Sequence, residues 1–422
     1  MSDAAFDPRA FLLQLFHAAV DAASAERSVP FDLPPPPRGR TIVVGAGKAA
    51  AAMAKAVEDH WPGALSGLVI TRYGHGVPCR FIDVVEAGHP VPDAAGLAAA
   101  RRMLRLVQGL GPDDLVLALI SGGGSSLFAL PAPGITLDDK QSVTRALLVS
   151  GAPISEINCV RKHLSAVKGG RLALAAQPAA IVSLIISDVP GDDPATVASG
   201  PTTPDPTTRE QAIAILGKYA IAVPPAVRSW LESPASETPK SGHPAFAKAQ
   251  SHIVASAKDA LAAAAGVAQA AGLSVVDLGD AVEGEAREVA RAHALLARQA
   301  LREGRASVLI SGGETTVTVK GKGRGGRNSE YLLALALALE GAAGISAIAC
   351  DTDGIDGTET NAGALIGPDT LARARAHGAD GGASLATNDA YGFFQSLGDL
   401  VETGPTRTNV NDFRAILIRP EK

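Results

Sequence analysis

The chain reads as an α/β protein of two domains. Short apolar, β-branched runs alternate with alanine-rich helical segments along most of its length. Hydrophobic residues make up 46% of the sequence but aromatics only 4%. Several strand-like runs break directly into Gly, Ser or Asp. Small side chains let helices lie close on a sheet, and strand–helix alternation with short turns predicts layers built on mostly parallel strands. The 422 residues suffice for more than one core.

In chain order, Pro8 to Ser24 has Phe11, Leu12, Leu15, Phe16 and Ala19 at helical spacing. A stiff Leu33-Pro-Pro-Pro-Pro37 connector leads to a strand at Thr41–Val44. Further strands are expected at 67–71, 81–86, 115–120 and 181–186, with helices at 94–108, 138–149, 154–163 and 164–176. From Thr203 to about Gln250 the composition shifts to Pro, Ser and charge, which predicts a domain boundary: residues 1–240 and 241–422. Beyond it, strands are expected at 252–256, 274–278, 307–310, 315–319, 345–350 and 413–418, and helices at 257–271, 284–303, 329–339 and 369–376.

Composition excludes several classes. A net charge of −5 provides no basic field for nucleic acid. Cys79, Cys159 and Cys350 have neither metal-ligand spacing nor the number for a disulfide framework. The start, MSDAAFDPRAFLLQLF, lacks the basic region of a signal peptide, and no apolar run approaches the roughly 20 residues of a membrane span. The expectation is a cytoplasmic protein, monomer or homodimer, whose partners are small molecules and neither nucleic acid nor membrane.

Several stretches carry chemistry. Gly45-Ala-Gly47-Lys48 turns a strand into a helix and fits a loose G-x-G-x-x-A, but Thr71-Arg72 stand where a dinucleotide site needs an acid. It also fails as a P-loop, having Ile42 for the first glycine and Ala49 for the magnesium-binding hydroxyl. Ser121-Gly122-Gly123-Gly124-Ser125-Ser126 offers amides and hydroxyls without bulk, as phosphate oxygens require. Arg161, Lys162, His163, Lys168 and Arg171 form a basic cluster that is either an anion site or a solvated helix face. Between Val308 and Glu330, Ser311-Gly-Gly-Glu314 precedes a loop in which Lys320, Lys322, Arg324 and Arg327 alternate with Gly321, Gly323, Gly325 and Gly326, and Asn328 opens a helix. That loop is an anion cradle or a solvated hairpin. Acidic turns follow two strands, with Asp188, Asp192 and Asp193 in one and Asp351, Asp353 and Asp356 in the other. Carboxylates there suit magnesium, or simply turn formation. A last polar stretch, Thr406 to Asp412, contains Asn409 and suits a polyhydroxy substrate. Leu119-Ile-Ser-Gly-Gly123 recurs as Leu309-Ile-Ser-Gly-Gly313, a hint that both halves present a ligand loop at a strand's carboxyl end.

Taken together, GAGKAAAAMA, SGGGSSL, the Lys162 to Arg171 segment, SDVPGDDPATVASGPT, SGGETTVTVKGKGRGGRNSE, DTDGIDGTETNAGA and TNVNDF resemble the glycerate 2-kinase family of the MOFRL type, many members of which carry a hydroxypyruvate reductase label. The resemblance implies a larger Rossmann-like amino-terminal domain, a smaller MOFRL domain and an inter-domain cleft. It also implies ATP-dependent phosphorylation of D-glycerate to 2-phosphoglycerate. The family's important lysine and arginine match Lys48 and Arg327. On this reading Gly45, Gly47, Ser121 to Ser126, Gly325 and Gly326 meet phosphate. Arg161, Arg324, Asn328 and Asn409 meet substrate, and Mg2+ sits among Asp188, Asp193, Glu314, Asp351 and Asp353. An NAD(P)H-dependent reductase of hydroxypyruvate or tartronate semialdehyde is the competing enzyme, and a non-catalytic sensor of sugar phosphates the competing binder.

Overall fold

A computed structural model of the protein describes residues 6–420. The first five residues of the start, read above as lacking a signal peptide, lie outside that range. The strands in order are β1 (Thr41–Ala46), β2 (Ser66–Arg72), β3 (Ile82–Ala87), β4 (Leu115–Ser121), β5 (Ala180–Ile186), β6 (Ala249–Ala255), β7 (Ser274–Asp277), β8 (Gly284–Glu285), β9 (Ser307–Ser311), β10 (Thr315–Thr316), β11 (Ile345–Asp351), β12 (Gly363–Ile366), β13 (Leu400–Val401) and β14 (Asp412–Ile418). Contacts divide the chain into two compact units, Ala25–Val254 and a discontinuous one made of the chain up to Ser24 with everything from Ala255.

The first unit holds a sheet ordered β3-β2-β1-β4-β5-β6, with β3 through β5 all parallel. β4 is buried at every residue, as a strand covered on both faces must be, so it reads as a continuous apolar run. Helix Ala94–Val107 packs Ala99, Met103 and Val107 onto Leu68, Ile70 and Ala118. A satellite core joins helices Leu137–Val149, Ile154–His163, Arg209–Lys218 and Pro225–Glu232 through Val143, Leu147, Val160, Leu216, Val227 and Leu231. The last two helices occupy the stretch that composition marked as a linker. Their apolar faces are only two or three residues wide, too short a period to stand out among the prolines. The helix expected at 164–176 forms only over Arg171–Ala176, because Gly169 and Gly170 take φ of +57° and +80°.

The second unit corrects an expectation. Its sheet, β13-β12-β11-β14-β9-β7, is antiparallel at every pair except β7–β9. Alternation suggested parallel strands, but no helix separates β11 from β12, and a chain returning without a crossover pairs antiparallel. Helix Arg327–Leu339 is buried almost all round, setting Leu332, Leu335 and Leu339 against Ala290, Ala294 and Ala297 of helix Ala286–Arg302 and against Ile345 and Ile416. Helix Pro8–Ala22, counted by sequence with the amino-terminal region, packs in this unit on helix Ala257–Ala270, β11 and β14. Its Phe16 ring lies 6.0 Å from that of Phe413.

Candidate functional site

In the first unit the winding reverses between β1 and β4, where two parallel neighbours send their chains to opposite sides and open a crevice at their carboxyl ends. The Gly45–Lys48 and Ser121–Ser126 stretches are the two loops at that point. Gly45 is part of β1, and a Cβ on Gly47 would collide with Ser121 Oγ. The turn's amides are used inside the protein. Gly47 N–H donates to Ile70 O at 3.1 Å, Lys48 N–H to Gly122 O at 2.8 Å, and Ala49 N–H to Ser121 Oγ at 3.0 Å. The amides of the Gly45–Ala49 turn thus lock the two loops together rather than face a ligand. The lock sets the partly buried Lys48 side chain beside Gly123. Ser125 Oγ lies 2.8 Å from Ser199 Oγ, and Ser126 Oγ donates to Gly123 O at 3.1 Å. His89 stands over Gly123, and burial, helped by Lys48 and Arg72, lowers it to about 4, so its ring is neutral.

The basic cluster divides. Lys162 pairs with buried Asp205 at 3.3 Å, His163 donates through Nδ1 to Cys159 O at 2.8 Å with its Nε2 3.3 Å from Glu237 Oε1, and Arg171 holds the carbonyls of residues 235–237. These three residues are structural. Arg161 and Lys168 instead line a pocket of about 340 Å³ shared with Gly123, Ser125 and Ser126. Lys168 Nζ reaches Ala198 O at 3.2 Å, and burial together with the neighbouring cations lowers its pKa well below the usual range.

In the second unit the glycine-rich loop is not an open cradle. A Cβ at Gly321 would collide with Thr387 O, and one at Gly323 with Asp389, so the glycines there let two backbones touch. Lys320 and Gly321 N–H both donate to Asn388 Oδ1 (2.8 and 2.9 Å), Gly323 N–H to Thr387 O and Arg324 N–H to Asp389 Oδ1. Lys320 and Lys322 are exposed, while Arg324 lies over Tyr391, 4.3 Å from its ring centroid, and pairs with Glu359. Only Arg327 turns inward. Its Nε donates to Asp412 Oδ1 at 2.9 Å and its Nη2 to Asp351 Oδ2 at 2.6 Å, with Glu314 3.5 Å from Nη1. Burial opposes its charge, but Asp412, Asp351, Glu314 and Asp356 outweigh that and raise its pKa well above the usual value. Gly325, Gly326, Arg327 and Glu314 line a second pocket of about 210 Å³.

Beneath Arg327, Asp356 caps the helix from another loop, accepting from Asn328 N–H (3.0 Å), Ser329 N–H (2.8 Å) and Ser329 Oγ (2.6 Å). Full burial lifts it to about 6 against those donors and the Arg327 charge. Asn328 Nδ2 donates to Asp412 Oδ1 at 2.7 Å, so Asn328 serves the network that positions Arg327. Asn409 is buried, next to a Thr408 whose hydroxyl donates to Ala23 O at 2.6 Å.

The carboxylates proposed for metal lie in both units. Asp188 and Asp193 follow β5, and Asp193 accepts from Ala195 N–H and Thr196 Oγ1. Asp351 accepts from Arg327 and Asp353 N–H, and Asp353 from Ile355 N–H, while Glu314 is exposed at the rim. Among the described residues no three His, Cys, Asp or Glu side chains are gathered to hold a metal ion. The hard-oxygen donors fit magnesium only in its phosphate-bridged form, which takes one or two carboxylates.

Sequence reading missed Asp412 and Lys140. Asp412 accepts from both Arg327 and Asn328 and pairs with Arg414, a hub visible only once β14 inserts between β9 and β11. Lys140 left a local signal. It occupies the buried stripe of its helix with Val143 and Leu147, at i, i+3 and i+7, where an apolar residue is the rule.

Residues 11–232 match a domain of unknown function (DUF4147) and residues 307–412 the MOFRL family. The chain belongs to the MOFRL family, in its glycerate 2-kinase branch. It is 40% identical over 416 residues to the D-glycerate 2-kinase of Thermotoga maritima, covering 96% of this chain and 98% of that one. A crystal structure of glycerate kinase from that organism superposes with a TM-score of 0.88 at 39% identity, covering 97% and 99% of the two chains. An Agrobacterium vitis relative, 56% identical over 97% of this chain and 94% of its own, is named "Putative hydroxypyruvate reductase". Among the described residues no helix is long and apolar enough to cross a membrane.

Proposed function

We propose that the protein transfers the γ-phosphoryl group of ATP to the 2-hydroxyl of D-glycerate, giving 2-phosphoglycerate and ADP. The observation that carries this reading is the full-length likeness to the Thermotoga maritima D-glycerate 2-kinase. Lys48 and Arg327, on different units, are assigned to the transferring phosphoryl as its positive partners. Ser125, Ser126 and Gly123 receive phosphate oxygens, and an aspartate of the 351–353 turn takes the hydroxyl proton.

Charge supports a metal. Around Arg327 stand Glu314, Asp351, Asp353 and Asp412, with Arg414 the other cation of the network. Such an acidic surround repels bare phosphate and favours phosphate carrying a divalent cation. Glu314 and Asp351 are the carboxylates proposed to hold it, and magnesium there would neutralise charge on the phosphates.

The reductase reading is disfavoured by the Gly45–Ala49 turn, whose amides are spent on Ile70, Gly122 and Ser121 instead of awaiting a pyrophosphate. The test is an assay of the purified protein with D-glycerate, ATP and magnesium, the product read by phosphorus NMR, beside hydroxypyruvate with NADH or NADPH. Magnesium-dependent 2-phosphoglycerate without nicotinamide oxidation is expected. Nicotinamide oxidation without phosphoryl transfer would overturn the reading.

A further inference from the structure

Helix Leu137–Val149 brings a lysine to a place where nothing answers its charge. Lys140 is 6% exposed and its Nζ has no hydrogen-bond partner among the described residues. It lines the same pocket as Arg161 and Lys168, and none of the pocket's lining residues is a carboxylate. Lys168 is 1% exposed and offers its Nζ to Ala198 O at 3.2 Å, while Arg161 has Asn158 Oδ1 at 3.5 Å. Lys140, Arg161 and Lys168, together with the exposed Arg145, thus share one cavity whose lining has only neutral oxygens, an arrangement that is unfavourable when empty and favourable around an anion.

We propose that this pocket seats the nucleotide donor, with Lys140, Arg161 and Lys168 taking its phosphate chain and the apolar rim of Val91 and Leu148 taking its base. The inference rests on the kinase reading and adds to it the donor's place and three of its ligands. Charge and shape both select a nucleotide over the hydroxy acid. One carboxylate would neutralise one of these cations, whereas a di- or triphosphate answers several. Ser125 and Ser126, on the same wall, add hydroxyl donors. A three-carbon polyhydroxy acid has no use for an apolar rim, yet Val91 is 64% and Leu148 55% exposed at this one. An aromatic base covers such a rim. Burial and the facing Arg161 also lower Lys140 to about 7, as expected of a group held ready for a negative partner.

The experiment pairs calorimetry on the full chain, using ADP and inorganic tripolyphosphate, with steady-state kinetics in ATP and in D-glycerate. The variants are Lys140→Met and the rim variant Leu148→Gln, which alters an exposed position and spares the core. Lys140→Met is expected to weaken ADP and tripolyphosphate at least tenfold and raise KM for ATP similarly, leaving KM for D-glycerate unchanged. Leu148→Gln is expected to weaken ADP but not tripolyphosphate. A rise in KM for D-glycerate alone would give the pocket to the hydroxy acid and overturn the proposal, as would unchanged ADP affinity in both variants. If the wild type transfers no phosphoryl group but binds ADP and tripolyphosphate through Lys140, the kinase reading fails and the seat stands. Normal turnover with nucleotide affinity indifferent to Lys140 would keep the kinase reading and overturn the seat.

Discussion

A lysine ammonium held in a protein interior without a partner destabilises the fold, and Lys140 is such a group. Its folded value of about 7 lies below the ordinary lysine value of ~10.4. Below about 7 it is charged in both states and the full burial cost applies. Between the two values the unfolded chain binds more protons than the native one, so stability rises with pH, and above both values the cost is gone. Arg161, Lys168, His89 and Arg145 share the cavity, and burial with the neighbouring cations lowers Lys168 as well. The informative quantity is therefore the difference between wild type and Lys140→Met. Calorimetric melting should find the variant more stable at pH 7, with the gap closing as pH approaches 10. A gap that stays constant with pH would show that packing, not charge, sets the difference. Arg327 is the opposite case, a mostly buried cation with Asp412 and Asp351 in direct contact, and its charge persists throughout.

At the scale of elements, helix Pro8–Ala22 shows how a short amphipathic segment can complete a remote core. Leu12, Leu15 and Phe16 are fully buried on helix Ala257–Ala270 and on β11 and β14. Leu15→Ala should cost about 2–5 kcal/mol, the usual range for a leucine truncated in a core. Hydrogen exchange should speed up in helix Ala257–Ala270, β11 and β14 while β1 and β4 keep their protection. Uniform loss across both sheets would contradict the division into units. The face of that helix was legible in the sequence, since Phe11, Leu12, Leu15, Phe16 and Ala19 are spaced every three or four residues. What it covers was not, because periodicity records a stripe and not its partner. The same distinction runs through the site. Strand ends at Ser121, Ser187, Ser311 and Asp351 could be read from apolar runs breaking into polar turns. The glycines of the 321–326 loop looked like an anion cradle because close approach to a ligand and close approach to the Thr387–Asp389 backbone require the same residue. Asp412 as the hub beneath Arg327 depended on the antiparallel insertion of β14, a long-range pairing with no local signature.

At the scale of the whole molecule, the kinase reading assigns a role at the phosphoryl group to two cations, Lys48 and Arg327. Lys48 follows β1 in one unit, and Arg327 opens a helix in the other. If both act on one phosphoryl group in one transition state, their contributions are not independent. Removing a cation that meets the transferring phosphoryl costs roughly 10³-fold or more. Lys48→Ala and Arg327→Ala should each lower kcat/KM by about that factor, while circular dichroism stays unchanged. For groups that work as a unit, a second deletion removes little that the first has left. The double variant should therefore fall within about tenfold of the worse single one. A loss equal to the product of the two, near 10⁶-fold, would mean that the residues serve separate steps, with Lys48 on one event and Arg327 on another. Restoring a lysine at 327 sharpens the assignment. Arg327 holds Asp412 through Nε and Asp351 through Nη2, a two-point grip that a single ammonium does not reproduce. Arg327→Lys should thus recover only part of the lost rate, and full recovery would mean that charge alone, not the fork, is what the site requires.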